Sequence, residues 1–182
     1  RSAPYATDRA IEPSDMIRMG GGFVASDTIV MPTQVLRDMP EFADRTEVED
    51  IPFQLLGALA GYAWYFADTF VAYRQAVPGS WSTRQYASAM ETRIKTSLEL
   101  IELNKGYDAY SQGRYHEAFE QAIAYQEFLI LTYRHDRKAI KQPPYRTFYD
   151  QLSWKRKLRL FGERYCNGLT MRIVNWLRSR KK

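Results

Sequence analysis

The sequence predicts an all-α fold, a set of helical hairpins with an extended N-terminal arm and one very apolar helix. Three observations carry this. Apolar residues recur at helical spacing over 86–101 and again over 119–133. A run of 21 residues, 53–73, holds a single charge, Asp68. The first 33 residues are punctuated by Pro4, Pro13, Gly20, Gly21, Gly22 and Pro32, and keep no period. With 182 residues, 45% of them hydrophobic and 14% aromatic, the chain can bury one real core and is not generally disordered.

The elements follow in order. Residues 1–50 read as a largely irregular arm, with Thr33 capping a short helix over 34–37 and an acidic stretch behind it. The helical domain is expected over 51–182. Its first helix, 53–73, would be about 31 Å long at 1.5 Å per residue, the thickness of a bilayer core. Gly57 and Gly61 form a G-x-x-x-G pair that lets a second helix pack closely. A transmembrane span and a buried bundle helix both fit this string. Pro78-Gly79-Ser80 breaks the chain. A hairpin then occupies 82–141. Ser82 and Gln85 fit a capping box, and Tyr86, Met90, Ile94, Leu98 and Ile101 form the apolar face. Gln112-Gly113 makes the turn. A third helix over 115–135 presents one face through Phe119, Ala122, Ile123, Gln126, Leu129 and Tyr133, and a second through Phe128, Ile130 and Leu131. Basic helices fill 144–182, one over 147–166 and a shorter one carrying Leu169, Ile173, Val174 and Leu177.

The net charge of +5 conceals a gradient. Residues 1–52 hold five basic and ten acidic groups, whereas 134–182 hold fifteen basic and three acidic. Such asymmetry points to an anionic partner for the C-terminal half. Lys155, Arg156, Lys157, Arg159, Arg172 and Arg178, interleaved with Trp154, Tyr165 and Trp176, are the expected contacts with an anionic, cardiolipin-like lipid or an acidic protein. Nucleic acid is the lesser alternative, since no base-reading motif accompanies the cluster.

Chemistry is sparsely represented. One cysteine, Cys166, excludes an internal disulfide and a cysteine-built zinc site. His116 and His135 are the only histidines. Gly20-Gly21-Gly22-Phe23-Val24-Ala25 matches G-x-G-x-x-A in letters but lacks the strand before it and the helix after it. No catalytic, cofactor or metal residue is expected. Asp68 reads as structural. The chain opens on Arg1, as a processed protein or a fragment does.

Residues 103–135 resemble a tetratricopeptide repeat. Gly106 stands at the small position of the first helix, Gly113 at the turn, Tyr115 at the start of the second helix and Ala118 at the close helix contact. Lys105, Ala109 and Tyr125 depart from the pattern, and shifts of 34 residues reveal no array. The resemblance implies an αα-hairpin and a protein–protein adaptor. In overall style, a basic, tryptophan-bearing helical chain with a trailing arm resembles supernumerary subunits of mitochondrial membrane complexes, the respiratory chain or ATP synthase. That likeness implies a non-catalytic subunit at the mitochondrial inner membrane, bound to other protein subunits. The alternatives are a soluble adaptor in the cytoplasm or matrix and a ribosomal, RNA-associated protein.

Overall fold

Helical spacing becomes helix most fully in the middle of the chain. In the computed structural model, residues 4–20, 24–46, 48, 50–72, 74, 77–80, 83–84 and 89–165 are described, with backbone alone at 44, 45, 159 and 161–165. The described residues are mostly helical, with seven helices and only 4% strand. They fall into two compact units, 1–127 and 128–182.

The first unit opens with strand β1, Arg9–Ile11, and helix α1, Pro13–Arg18. Proline at the first helical position needs no N–H partner, Asp15 lies in the first turn and Arg18 in the last. A short 3-10 turn covers Ser26–Thr28, and helix α2 covers Thr33–Arg37. Pro32 occupies the cap position, so Thr33 is the first helical residue and not the cap. Parts of the expected arm are therefore folded into the unit. Ile11 and Ile17 are fully buried, and Ile17 belongs to the main core with Leu55, Leu56 and Tyr107.

Helix α3 spans Asp50–Ala60 and stops there. Gly61 follows with φ +151°, a conformation open essentially to glycine alone. Strand β2, Ala63–Tyr65, then pairs antiparallel with β1, Arg9 opposite Tyr65, Ala10 opposite Trp64 and Ile11 opposite Ala63. The expected apolar helix over 53–73 is thus cut in half. No helix among the described residues is long and apolar enough to cross a membrane. The G-x-x-x-G face does not form either. Gly57 lies in α3 beneath the Met31 methyl, and Gly61 lies past the helix end with open space around it.

Helix α4 spans Met90–Tyr110. It buries Ser97, Leu100, Ile101, Leu103, Asn104 and Tyr107, while Leu98 is exposed. The buried stripe is rotated from the one expected through Ile94 and Leu98, because α4 packs most closely on α3 and on the 3-10 turn Glu41–Arg45. Gly106 faces that turn. A Cβ placed there would meet Phe42 Cε2 at 2.6 Å, and the Phe42 ring is itself held edge-on to Tyr107 at 5.2 Å. Gly106→Ala should therefore destabilise the protein by about 1 kcal/mol. Overpacking costs about 1–3 kcal/mol, offset by about 1 kcal/mol of helix propensity. On a Phe42→Ala background the same change should stabilise by about 1 kcal/mol. A urea double-mutant cycle checks this, and the same sign on both backgrounds rejects it.

The turn after α4 uses Gln112 and Gly113 at φ 55° and 71°. Helix α5 then runs His116–Tyr133. Residues 118, 119, 122, 126, 128 and 130 are buried, so the helix is covered on two sides as its pattern predicts. Beyond it, in the second unit, come a 3-10 turn Ala139–Lys141, helix α6 Arg146–Gln151 and helix α7 Trp154–Tyr165. The single helix expected over 147–166 is broken at Leu152-Ser153. Ser153 caps α7, its Oγ accepting the Arg156 N–H at 3.4 Å. The Ser82–Gln85 capping box, Tyr86, Gly21 and Gly22, Cys166 and the last helix with Leu169 to Leu177 lie outside the described residues.

Candidate functional site

Two surfaces stand out, one in each unit, with a polar pair at the α4–α5 turn between their sequences. The first is the outer side of the β1–β2 ribbon. Its inner side is fixed by Ile11 and Tyr65, with Tyr5 edge-on to Tyr65 at 5.6 Å and the Arg9 guanidinium 4.6 Å from the Tyr5 ring centre. The Ala67 N–H donates to Asp8 Oδ1 at 2.8 Å and extends the pairing by one step. Because strand side chains alternate, burying Tyr65 turns Trp64 outward, and the flanking Tyr62 and Phe66 follow it. Tyr62, Trp64, Phe66 and Phe70 are each between 55% and 73% exposed. Phe66 and Phe70 meet edge to face at 6.2 Å. Asp68, set among them in sequence, is exposed.

At the α4–α5 turn, His116 Nδ1 lies 2.6 Å from Asp108 Oδ2. The hydrogen bond and the charge of Asp108 raise the imidazole pKa above its usual value. This outweighs the start of α5, whose dipole disfavours a cation there. A group whose pKa rises on folding stabilises the fold below its unfolded value near 6.5. That contribution fades as pH climbs through the raised value. Titration of His116 by NMR should show the raised pKa, and Asp108→Asn should return it toward the ordinary one; an unchanged titration defeats the pairing.

The second surface is basic. Three elements of the second unit, the 139–141 turn, α6 and the start of α7, converge on the Tyr149 ring. Lys141 Nζ lies 5.5 Å from its centre and Lys157 Nζ 5.0 Å. Lys157 also donates to the Asp150 carbonyl at 3.0 Å. Arg146 Nε sits 3.5 Å from Asp150 Oδ2. Lys141, Arg146, Tyr149 and Asp150 line a shallow recess of about 350 Å³. Lys141 and Lys157 thus share one ring, while Arg146 pairs with the Asp150 carboxylate.

No family model, curated protein or solved structure matches this chain. The surfaces therefore have to be read from their own chemistry. Of the basic residues expected to meet an anion, Lys155 and Arg156 are exposed on α7, and Lys157 is drawn onto Tyr149. Arg159 lies in α7, but its side chain is outside the described residues, as are Arg172 and Arg178. Lys141 and Arg146 belong to the basic excess over 134–182, but nothing in the sequence marks Tyr149 as their meeting point; the break at Leu152-Ser153 that folds Lys157 back to it has no charge signature. The rings at 62, 64 and 66 stand two residues apart, a strand spacing that lies within the run read as a helix over 53–73. Among the described residues no group of His, Cys, Asp and Glu side chains is arranged to hold a metal ion.

Proposed function

We propose that this protein is a non-catalytic structural or assembly subunit of a larger protein complex, docked through the aromatic face of its ribbon. The observation that supports this is the row Tyr62, Trp64, Phe66 and Phe70, four exposed rings within nine residues. A contiguous apolar patch on a folded chain marks an interaction surface. Aromatic anchors also supply most of the energy at protein interfaces. The ribbon is well suited to carrying them, because its inner side is fixed by Ile11 and Tyr65 in a small core of its own.

The setting proposed remains a mitochondrial inner-membrane complex, the respiratory chain or ATP synthase, on the likeness of style given above. Attachment there is proposed as peripheral, through protein contacts, since the 53–73 segment turns back as a strand at residue 63. A repeat-type adaptor is less well supported, because Gly106 serves contact with Phe42 and not a helix–helix seam.

Native electrophoresis of gently extracted protein tests the reading. The wild type should co-migrate with an assembly far larger than its own 21.3 kDa. Trp64→Ser with Phe66→Ser should release it as a single chain while leaving its thermal midpoint unchanged, since both rings are exposed. A lone wild-type chain, or a variant that still co-migrates, overturns the proposal.

A further inference from the structure

The second unit carries a surface that the proposed docking does not use. Within 128–158 there are eight Lys and Arg residues against two acidic ones, Asp136 and Asp150. Both Lys141 and Lys157 hold their ammonium groups close to one face-bearing ring, Tyr149, and Arg146 stands beside them. Two ammonium groups on one ring and a guanidinium nearby leave a local positive excess, of which Asp150 offsets one charge. An anion in the recess neutralises part of that excess. A phosphodiester suits it: one negative charge, with oxygen acceptors for a guanidinium fork and two ammonium groups.

A second, independent feature identifies the kind of phosphodiester. On α7, next to this cluster in sequence, Trp154 is 70% exposed and Leu158 57% exposed. They are four residues apart and so share one face of the helix. Lys155 and Arg156 are exposed as well, Lys155 flanking that face and Arg156 on the opposite one. A basic helix with tryptophan and leucine on its open side is the arrangement that lies in the plane of a lipid interface. Free phosphate has no use for those apolar side chains.

We propose that the second unit binds the surface of an anionic phospholipid membrane. The recess lined by Lys141 and Arg146, with Lys157 on the Tyr149 ring, takes a headgroup phosphate, and Trp154 and Leu158 enter the boundary between headgroups and acyl chains. This site is independent of the ribbon docking and can fail or succeed without it.

Co-sedimentation of the full chain with vesicles tests the inference. The probes are phosphatidylcholine alone and phosphatidylcholine with 30% phosphatidylglycerol. Binding should be confined to the anionic vesicles. Each basic residue at such a surface contributes about fivefold, so Lys141→Ala with Arg146→Ala and Lys157→Ala should weaken binding about a hundredfold. A charge-matched control, Lys95→Ala with Lys105→Ala and Arg114→Ala in the first unit, should leave most of it. Trp154→Ala, at an exposed position that does not support the fold, should weaken binding further at high salt, where the apolar contribution remains. Equal binding to both vesicles, equal loss in the control, or no effect of Trp154→Ala overturns the proposal. So does displacement from the vesicles by millimolar inorganic phosphate, or tighter binding to a single-stranded RNA homopolymer, either of which would assign the cluster to another anion.

Discussion

Tyr107→Ala should remove about 3–5 kcal/mol of stability, the range for truncating a large buried aromatic side chain. Tyr107 is fully buried where α4 meets the start of α3. Its ring is edge-on to Phe42 at 5.2 Å and to Tyr110 at 6.4 Å. Its hydroxyl donates to the Pro52 carbonyl at 3.1 Å. Burial pushes the phenol pKa well above its usual value, so the hydroxyl stays protonated and remains a donor. Tyr107→Phe should accordingly cost only about 1 kcal/mol, one hydrogen bond without the cavity. The ratio of the two losses separates packing from hydrogen bonding. Urea denaturation followed by circular dichroism measures both. A domain of this size is stable by about 5–15 kcal/mol, so the Ala variant should show a much lower midpoint. A cost below 1 kcal/mol for Tyr107→Ala would show that the ring is not a core member.

Ile17→Ala should cost about 2–5 kcal/mol, although its residue sits in a stretch that reads as a trailing arm. The side chain is fully buried in the same core as Leu55 and Leu56, and α1 packs directly on α3. A residue on a loose arm would change stability by no more than about 0.5 kcal/mol. The two expectations differ severalfold, and one denaturation curve decides between them. Met19→Ala, two residues on at a half-exposed position, should behave as the arm would have done and serves as the control.

The contrast between these residues shows where the sequence is legible. Helices α4 and α5 are long enough for several turns of apolar spacing to accumulate, and both are readable to within a residue or two at their shared turn. Even so, the buried stripe of α4 sits one step away from Leu98, because the face is set by Phe42 and Pro52, which lie far back in the chain. Strand β1 has three residues and α1 has six, too few to show any period. Pro13 is a legible start signal for α1, but beside so many prolines and glycines it reads as punctuation. In 53–73 the apolar content was real and the period changed partway through it. Short apolar runs do not distinguish strand from buried helix, and only the pairing of Tyr65 with Arg9 resolves them. The basic character of the C-terminal half is plain from composition. Its focus on Tyr149 is not, since that depends on a helix break at Leu152-Ser153 which carries neither proline nor glycine.

The pairing of β1 with β2 also has a kinetic consequence. Helices form from neighbours within a few residues, and an all-helical chain built from such contacts folds fast. Here the first strand must wait for residues 63–65, and closing so large a loop carries an entropic cost before any contact repays it. During synthesis Ile11 and Ile17 leave the ribosome with nothing to pack against, and the aromatic face behind them arrives half-made. Strand β1 and helix α1 thus stay unprotected until residues 50–65 have been made, an interval in which a nascent chain is open to proteases and to unintended partners.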